Sequence, residues 1–432
     1  MRWQTVRKWL RPGLGIKRWL ALLIFGITVI ALAFAQIVVE LYRNEQLPEL
    51  IYFASLRFLP VPIRIIIGVA LGMGAIAVAI LELNRSILAP FSRQRRGALI
   101  DMMYDHTFGQ RGSKLVAIGG GTGLPSVLRG MKHVTTNITA IVTVADDGGS
   151  SGRLRREMGV LPPGDLRNNI AALANDEDMM TQLFQYRFGE GGLEGHSFGN
   201  LFLTALSNIT GSMDRALIEA GRVLAIQGRV LPSTLENITL IAEVRNGSSL
   251  KRVEGESQIP HADGRIERVF ISPAVVRAFP EAIRALLTAE LIVIGPGSLY
   301  TSIIPNLLVE GIAQAIRASS ALCIYVCNIA TQEGETDGFT VADHILAIER
   351  HAGRRLFQFV LANNAYPDTT GTRTQYVQPA PPDHEVRQDY EIIETDLTDP
   401  RYPWRHSPEK LSRAIELVRL QRQPGIAPAA AG

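Results

Sequence analysis

Short apolar runs alternate with amphipathic segments along the chain from Lys114 onward. Runs such as KLVAI, ITAIVTVA, ELIVI and ALCIYVCNI neighbour segments with helical spacing of apolar residues, such as LPSVLRGMKHV and VADHILAIERH. Strands that are apolar on both faces and separated by helices are typical of a parallel sheet covered on both sides. The pattern therefore predicts a Rossmann-like, doubly wound, mainly parallel α/β domain over residues 112–365.

Two later stretches depart from this alternation. The chain between Ser233 and Ile271 is polar, interrupted by glycines and rich in β-forming residues, which predicts a small β-rich antiparallel insertion at about residues 233–271. Residues 366–432 are predicted to form a C-terminal extension. In it, Pro408 and Glu409 mark the first turn of a closing helix, and the tail is predicted to be disordered.

Two long apolar runs precede the α/β domain, at about residues 19–42 and 62–83. Each is long enough to cross a bilayer core of about 30 Å. Basic clusters flank the outer ends of the pair, so the positive-inside rule places both ends in the cytoplasm. The sequence predicts a membrane anchor over residues 1–97, a two-helix transmembrane hairpin in the cytoplasmic (inner) membrane with the C-terminal domain in the cytoplasm. A signal peptide cleaved after Ala33-Phe34-Ala35 is the alternative.

Composition adds two constraints. The 432 residues carry a formal net charge of only +3, which gives no argument for nucleic acid as a partner. Cys323 and Cys327 lie on one face of a predicted strand, so their Cα atoms are separated by roughly 13 Å. A disulfide requires a Cα separation below about 7 Å, so we expect two buried, reduced thiols, with a redox pair as the alternative.

The first predicted strand ends in the glycine-rich sequence GGGTG, residues 119–123. Glycines let the backbone approach a phosphate closely, and the next helix presents free N–H groups to it. Leu124 stands where the dinucleotide fingerprint has its third glycine, and no Walker lysine follows. The loop therefore predicts a phosphate site for a ligand other than NAD, with a plain tight turn as the alternative.

Two adjacent acids, Asp146 and Asp147, follow the second apolar run. Acids at this place in an α/β sheet bind ribose hydroxyls or a Mg²⁺ ion that bridges phosphates. Both are predicted to be catalytic, with Asp146 as a metal ligand and Mg²⁺ as the candidate cofactor. A solvated Asx turn is the alternative.

Further polar clusters precede apolar helices. Asp165 is predicted to be a helix N-cap and is the third candidate catalytic acid, with Arg167 close behind it. His196 and Asn200 lead another helix in the same way. A second glycine loop, GPGS at residues 295–298, and the polar residues after Asn328 complete the strand ends.

These strand ends predict one pocket for a polar, phosphorylated ligand, a nucleotide or nucleotide sugar. The groups predicted to bind it are Gly120, Gly121, Thr122, Gly123, Ser150, Ser151, Arg153, Arg167, Asn168, Asn169, His196, Asn200, Pro296, Gly297, Ser298, Asn328, Thr331 and Gln332.

Six blocks between about residues 114 and 366 resemble the bacterial gluconeogenesis factor family: AIGGGTGLPSVLRG, VADDGGSSGRLRRE, PPGDLRNNI, GHSFGNLFLTAL, LIVIGPGSLYTSIIPNLLV and NIATQEGETDGFTVADHI. That family is similar in turn to the 2-phospho-L-lactate transferases. The resemblance implies a Rossmann-like fold, a nucleotide-sugar ligand such as UDP-N-acetylglucosamine, and a role in cell shape, envelope synthesis and gluconeogenic carbon metabolism. It also implies that residues 120–123 line the phosphate site, that Asp146 or Asp147 lies near the metal and acceptor, and that Asn200, Gly297 and Ser298 line the nucleotide.

Two functions remain open at this point. The first is a regulatory protein that binds UDP-N-acetylglucosamine and signals to an unidentified partner in envelope synthesis. The second is a Mg²⁺-dependent transferase that moves a phospho-group from an activated nucleotide donor to an alcohol acceptor, with the three acids as its catalytic groups. A dehydrogenase is disfavoured by the incomplete fingerprint. Apolar surface helices would allow a homodimer.

Overall fold

The computed structural model describes residues 112–174, 177–368 and 375–422, together with a few positions between Ile27 and Ile63. The chain divides into two compact units, Met1–Thr107 and Phe108–Gly432. The predicted transmembrane helices, at about 19–42 and 62–83, lie almost entirely outside the described residues, as does the tail after Arg422. None of the helices within the described ranges combines the length and apolar character that a bilayer crossing requires.

Ten strands form two sheets within the described residues. In chain order they are β1 (Leu115–Gly119), β2 (Ile138–Val142), β3 (Arg229–Pro232), β4 (Thr239–Asn246), β5 (Ser249–Glu254), β6 (Arg265–Ser272), β7 (Leu291–Ile294), β8 (Leu322–Val326), β9 (Phe359–Asn363) and β10 (Glu391–Thr395). The main sheet has seven strands in the order β10-β9-β8-β7-β1-β2-β3, and all its pairings are parallel. The second sheet is antiparallel, in the order β5-β4-β6. The predicted parallel α/β domain and its small antiparallel insertion are both confirmed.

The α-helices cover both faces of the main sheet. In chain order they are α1 (Leu124–Met131), α2 (Gly149–Met158), α3 (Pro163–Leu173), α4 (Glu177–Gln185), α5 (Phe198–Thr210), α6 (Met213–Val223), α7 (Pro280–Leu287), α8 (Ile304–Leu308), α9 (Ile312–Ala318), α10 (Val341–Ala352), α11 (Val386–Asp389) and α12 (Pro408–Arg422). A π-helical turn, Leu299–Ile303, precedes α8, and a 3₁₀ turn, Glu256–His261, follows β5.

Alternation along each central strand divides the core into two layers. On β1, Val116 and Ile118 belong to the core that includes the antiparallel sheet, whereas Leu115 and Ala117 belong to the core under α1, α3 and α12. Every residue of β1 is buried, because successive side chains point to opposite, equally covered faces. This explains why the strand has an unbroken apolar sequence.

The C-terminal extension contributes to the same domain. Strand β10 pairs with β9 at the edge of the main sheet. Helix α12 begins at Pro408, so Pro408 and Glu409 lie in its first turn, as predicted. Ser407 Oγ accepts a hydrogen bond from the Lys410 N–H (3.3 Å). Cys323 and Cys327 are buried and free, which confirms the prediction of two buried thiols.

Candidate functional site

The candidate site lies at the point where the order of the main sheet reverses. The chain leaves β1 toward β2 on one side, and returns to pair β7 with β1 on the other. Loops at the carboxyl ends of two such strands enclose a crevice where α/β proteins bind ligands. Here the loop after β1 meets the loop after β7. We call them the first glycine loop, residues 119–123, and the second glycine loop, residues 295–298.

The two glycine loops touch backbone to backbone. A Cβ atom on Gly123 would lie 2.5 Å from the carbonyl oxygen of Pro296, and one on Gly297 would lie 3.4 Å from the carbonyl oxygen of Gly120. A side chain at Gly123 would therefore separate the loops. The glycines serve the packing of the loops on each other, in addition to any approach of a ligand.

The first glycine loop is also held by Asp165. The Gly121 N–H donates to Asp165 Oδ2 (2.7 Å), and Gly121 has a positive φ of 59°. A Cβ on Gly120 would lie 2.5 Å from the same carboxylate oxygen. Thr122 is exposed at the tip. The loop thus lies directly against a carboxyl group.

Asp165 is not the N-cap that the sequence suggested. The N-cap residue of α3 is Pro162, and Asp165 is the third residue of the helix. Proline suits the first turn of a helix because its fixed φ fits and its missing N–H is not needed there. The Pro-Pro pair therefore starts the helix earlier and leaves the Asp165 carboxylate to accept from the loop.

Asp146 and Asp147 have different surroundings although they are adjacent. Strand β2 ends at Val142, so both lie beyond a short extended segment. Asp146 Oδ1 accepts from the Gly148 N–H (2.9 Å), and its Oδ2 would be 2.9 Å from a Cβ on Gly164. Asp147 Oδ1 accepts from the Ser257 N–H (2.9 Å) and so ties the antiparallel insertion to the main domain.

Four carboxyl groups share this end of the sheet with little compensating charge. Burial raises the pKa of Asp146, and burial raises the pKa of Asp165 to about 6, with further increase from neighbouring acids. Burial, reinforced by Asp146 and Asp165, raises the pKa of Glu256 to about 8. Burial also raises the pKa of Glu335 to about 7. The positive charge of Arg167 lowers the pKa of Asp146 and of Asp165, but it is the weakest of these contributions.

Sequence reasoning gave no role to Glu256 and included Glu335 only among the polar residues after Asn328. Glu256 begins the 3₁₀ turn after β5, and Glu335 lies in the loop after β8. Glu335 Oε1 accepts from Thr301 Oγ1 (3.4 Å), while its Oε2 is buried and has no hydrogen-bond partner among the described residues. The available signal was an acid next to glycine in both places, Gly255-Glu256 and Gly334-Glu335.

Residues at the start of α5 hydrogen-bond to the serines at the start of α2. Ser197 caps α5 by accepting from the Asn200 N–H (3.3 Å). Asn200 Nδ2 donates to Ser150 Oγ (3.1 Å) and, more distantly, to Ser151 Oγ (3.4 Å). His196 Nδ1 lies 3.0 Å from Ser150 Oγ, and burial lowers the pKa of His196, which favours a neutral ring at pH 7.

Helices α1 and α2 both begin without a capping side chain. Their N-cap residues are Gly123 and Gly148, and neither helix has a side-chain hydrogen bond at its cap. The N–H groups of a first helical turn lack partners within the helix and attract anions. The start of α2 therefore offers donors to a phosphate, whereas α1 offers fewer, because Pro125 has no N–H and the Ser126 N–H donates to the Gly123 carbonyl (2.9 Å).

Amide side chains surround the second glycine loop. Asn328 pairs with Gly297 in both directions: the Gly297 N–H donates to Oδ1 (3.2 Å) and Nδ2 donates to the Gly297 carbonyl (2.9 Å). Gln332 Nε2 donates to Ser298 Oγ (2.6 Å). Within the described residues, Gln332 Oε1 and Asn200 Oδ1 are buried acceptors without a partner. These oxygens are available to hydroxyl or amide donors of a ligand.

The remaining predicted residues mainly make protein contacts. Arg167 donates to Ser197 Oγ (2.5 Å) and to Asn168 Oδ1 (2.9 Å). Asn169 donates to the Asp165 carbonyl (2.8 Å). Outside this group, Arg153 donates to the Glu194 carbonyl and Thr331 bonds the Gln375 backbone. The described part of the chain contains no group of three or more His, Cys, Asp or Glu side chains placed to hold a metal ion.

Comparison with known proteins agrees with this arrangement. The family model for the 2-phospho-L-lactate transferase CofD matches residues 115–398, which places the fold and site in the class of CofD-like α/β proteins. The gluconeogenesis factor of Bacillus subtilis is 46% identical over 277 residues, 64% of this chain and 86% of that protein. A Nostoc sp. relative is 47% identical over 426 residues, 94% of this chain and 91% of its own length.

A solved structure extends the comparison to three dimensions. A crystal structure of a Bacillus halodurans protein, 43% identical, covers 71% of this chain and 99% of its own, with a TM-score of 0.66. The chain belongs to the gluconeogenesis factors of the CofD family, as its sequence blocks indicated.

Proposed function

We propose that the protein binds a nucleotide sugar, UDP-N-acetylglucosamine, between the two glycine loops and thereby regulates cell shape, envelope synthesis and carbon metabolism. The observation that carries this proposal is the junction of the loops at the point where the sheet order reverses. A diphosphate suits the uncapped start of α2, which offers backbone donors. A hydroxyl-rich sugar suits the unpartnered acceptors of Asn200 and Gln332.

We propose Mg²⁺ as the accompanying ion, held by Asp146. The charged form of this carboxyl is disfavoured by burial and by neighbouring acids, which a cation would offset. Since no three-ligand group exists among the described residues, most ligands would come from ligand phosphates and water, as is usual for Mg²⁺. When bound, the ion would neutralise part of the diphosphate charge.

The membrane anchor also remains a proposal: two N-terminal helices in the cytoplasmic membrane with the α/β domain on the cytoplasmic side. Its support is the pair of long apolar runs with basic outer flanks. In addition, the Nostoc relative aligns with 94% of this chain, so the alignment includes most of residues 1–97. Carbonate-resistant sedimentation of the chain with membranes is the expected result. Recovery in the carbonate-soluble fraction would refute the anchor.

The second candidate function is a phospho-group transferase, and the four carboxyls with raised pKa values favour it. In such a reaction the acceptor hydroxyl oxygen would form a bond to phosphorus. The bond from that phosphorus to the bridging oxygen would break, and a nucleoside monophosphate would leave with the electron pair. The hydroxyl proton would pass to Asp165, whose pKa of about 6 suits a general base near neutral pH.

Binding tests the first function. Calorimetry on the purified full-length chain should detect UDP-N-acetylglucosamine with Mg²⁺ present. Gly121→Val should weaken binding at least tenfold, since Gly121 has a positive φ within the loop. Gly211→Val is the matched control, because Gly211 also has a positive φ (82°) but ends α5, with open space around it. Absence of binding to the unmutated chain would contradict the proposal.

Mass spectrometry of the same mixtures separates the two functions. Unchanged UDP-N-acetylglucosamine after long incubation, with binding retained, supports regulation. Release of a nucleoside monophosphate in the presence of an alcohol acceptor supports transfer, and Asp165→Asn should then abolish the release.

A further inference from the structure

A second cavity, of about 510 Å³, lies between the antiparallel sheet and α10. Strands β4 and β6 form one wall, α10 forms another, and Tyr300 of the π-helical turn closes the inner end. Four arginines line it, against three acidic side chains. We call it the arginine pocket. None of the groups assigned above to the nucleotide-sugar site belongs to it.

Two of the four arginines are neutralised by partners in the pocket wall. Arg245 Nε lies 2.6 Å from Glu267 Oε1, and Arg268 Nε lies 2.6 Å from Glu243 Oε2. Both carboxylates respond to these cations: hydrogen bonds from the arginines lower the pKa of Glu267 and of Glu243. Glu243 is also shared with Arg252 (3.2 Å), so the two carboxylates balance only part of the positive charge here.

The third acid, Asp343, is used by its own helix. Asp343 Oδ2 accepts from the Thr340 N–H (2.8 Å) and from Thr340 Oγ1 (2.7 Å), which forms the capping box of α10. Arg265 and Arg350 then remain without a carboxylate ion pair among the described residues. Arg350 Nη1 donates only to the Glu267 carbonyl (3.1 Å).

Arg265 belongs to a group of three arginines that share one carboxylate, because Arg245, Arg350 and Arg265 all lower the pKa of Glu267. Arg265 also lies directly opposite Arg245 in the β4–β6 register, and the single charge of Glu267 does not balance both. The Arg265 guanidinium lies over the Phe339 ring, 5.2 Å from the centroid. This contact fixes the group at the pocket wall without neutralising it.

An aromatic wall completes the pocket. Tyr300 is buried and meets Phe339 edge to face, with centroids 6.3 Å apart. Burial raises the pKa of Tyr300 to about 12, while Arg350 and Arg265 act in the opposite direction, so both cations are close to a hydroxyl that keeps its proton. The pocket thus offers two guanidiniums, one hydroxyl and a flat apolar surface.

We propose that the arginine pocket is a second ligand site, which binds a phosphate monoester of a small organic molecule. The dianion would lie between Arg265 and Arg350, since a guanidinium group can donate two parallel hydrogen bonds to two oxygens of one phosphate. The organic body would lie against Phe339 and Tyr300. The volume of the cavity is within the range of sites for small molecules.

The π-helical turn connects this pocket to the candidate nucleotide-sugar site. Tyr300 lines the pocket, whereas the next residue, Thr301, donates to Glu335, and Ser302 Cβ lies 3.4 Å from the position of a Cβ on Gly120. A π-helical turn is a common feature of functional sites. A ligand against Tyr300 would therefore act on the first glycine loop, a step that rests on the proposed function.

Phenyl phosphate is a suitable test ligand, because it combines a dianion with one flat apolar ring. In calorimetry on the full-length chain, Arg265→Gln/Arg350→Gln should weaken its binding at least tenfold. The control Arg222→Gln/Arg284→Gln removes the same charge from exposed arginines of α6 and α7 and should leave binding unchanged. Phenol, which lacks the phosphate, should not bind.

Three results would overturn the proposal: no binding of phenyl phosphate to the unmutated chain, equal loss in the control, or tighter binding of succinate than of phenyl phosphate. The link between sites is tested by repeating the UDP-N-acetylglucosamine titration with phenyl phosphate present. A change of at least threefold, lost in Tyr300→Phe, is expected. An unchanged affinity refutes the link, whereas failure of UDP-N-acetylglucosamine to bind alone refutes only the proposed function.

Discussion

The two glycine loops occupy equivalent places on neighbouring strands but have opposite chemical surroundings. The first lies against Asp165, with Asp146 nearby, and both carboxyls have raised pKa values. The second is held by the amides of Asn328 and Gln332, whose hydrogen bonds involve no charge. The same backbone motif is therefore combined with buried carboxyls of raised pKa on one side and with neutral amide hydrogen bonds on the other.

This difference indicates that the two loops contribute to ligand binding in different ways. Unneutralised carboxyls destabilise the folded chain until a cation or a proton arrives, so the first side gains most from a charged ligand. Amides change little with pH or salt and hold the second loop in one position. Removing a carboxyl charge on the first side should therefore raise the free energy of unfolding above neutral pH, whereas removing an amide on the second side should lower it.

The largest effect is expected where the loops meet. Gly123→Val places a Cβ 2.5 Å from the Pro296 carbonyl oxygen, and a backbone atom cannot move aside as a side chain would. We expect the free energy of unfolding to fall by about 3 kcal/mol, the upper end for overpacking. Urea denaturation measures it. Gly189→Val, in open space, is the control, and equal loss in both variants would show that the loop contact is unimportant.

The second prediction concerns Glu256 and Glu335 together. A carboxyl whose pKa is raised by folding holds its proton more tightly in the folded chain, so its contribution to stability is lost as pH rises toward about 8. Glu256→Gln/Glu335→Gln should be more stable than the unmutated chain by about 2 kcal/mol at pH 8, with the difference disappearing near pH 5.

Comparing the free energies of unfolding of the double variant and the unmutated chain at each pH separates the effect of the two glutamates from that of other titrating groups. Burial lowers the pKa of His344 and of His406 to about 4, so both histidines reduce stability as pH falls below about 6.5 in either protein. This contribution cancels in the difference. A difference that is constant from pH 5 to pH 8 would refute the raised pKa values.

On the amide side, Asn328→Ala removes both hydrogen bonds to Gly297. The free energy of unfolding should fall by about 1.5 kcal/mol, since the Gly297 backbone groups lose their partners. Thermal denaturation at pH 6 and at pH 8 should give the same loss, because no charge is involved. A loss confined to one of these pH values would contradict the assignment.

The smallest effect, and the opposite sign, is expected for Asp165→Asn. The amide oxygen can still accept from Gly121, but the buried negative charge is gone. We expect a gain of about 1 kcal/mol at pH 8, together with weaker Mg²⁺-dependent ligand binding. Asp165→Ala, which also removes the acceptor, should not share the gain. A loss of stability in Asp165→Asn at pH 8 would show that the ionised carboxylate stabilises the fold and does not serve the ligand site.

Local sequence was enough to predict most of the fold and the two loops, because the central strands are apolar runs and two of them, β1 and β7, lead directly into glycines. It failed for Asp165, where the preceding prolines start the helix earlier than a capping acid would. It also gave no role to Glu256, whose neighbour Ser257 donates its N–H to Asp147, 110 residues away. Such a contact depends on how the insertion packs against the main domain, and the pattern of apolar and polar residues along the sequence does not reveal it. The membrane hairpin stays a prediction.

Helix α12 packs against α1, and the contact is close enough that a Cβ on Gly130 would lie 2.2 Å from the Pro408 carbonyl oxygen. The first helix of the domain is thus covered by the last one. During synthesis on the ribosome, the face of α1 that packs on α12 stays without its native partner until almost the whole chain has emerged, although α1 also packs on β1, β2 and α3. A nascent chain of this protein therefore offers that face to chaperones until translation is nearly complete, and a premature stop before Pro408 leaves it uncovered.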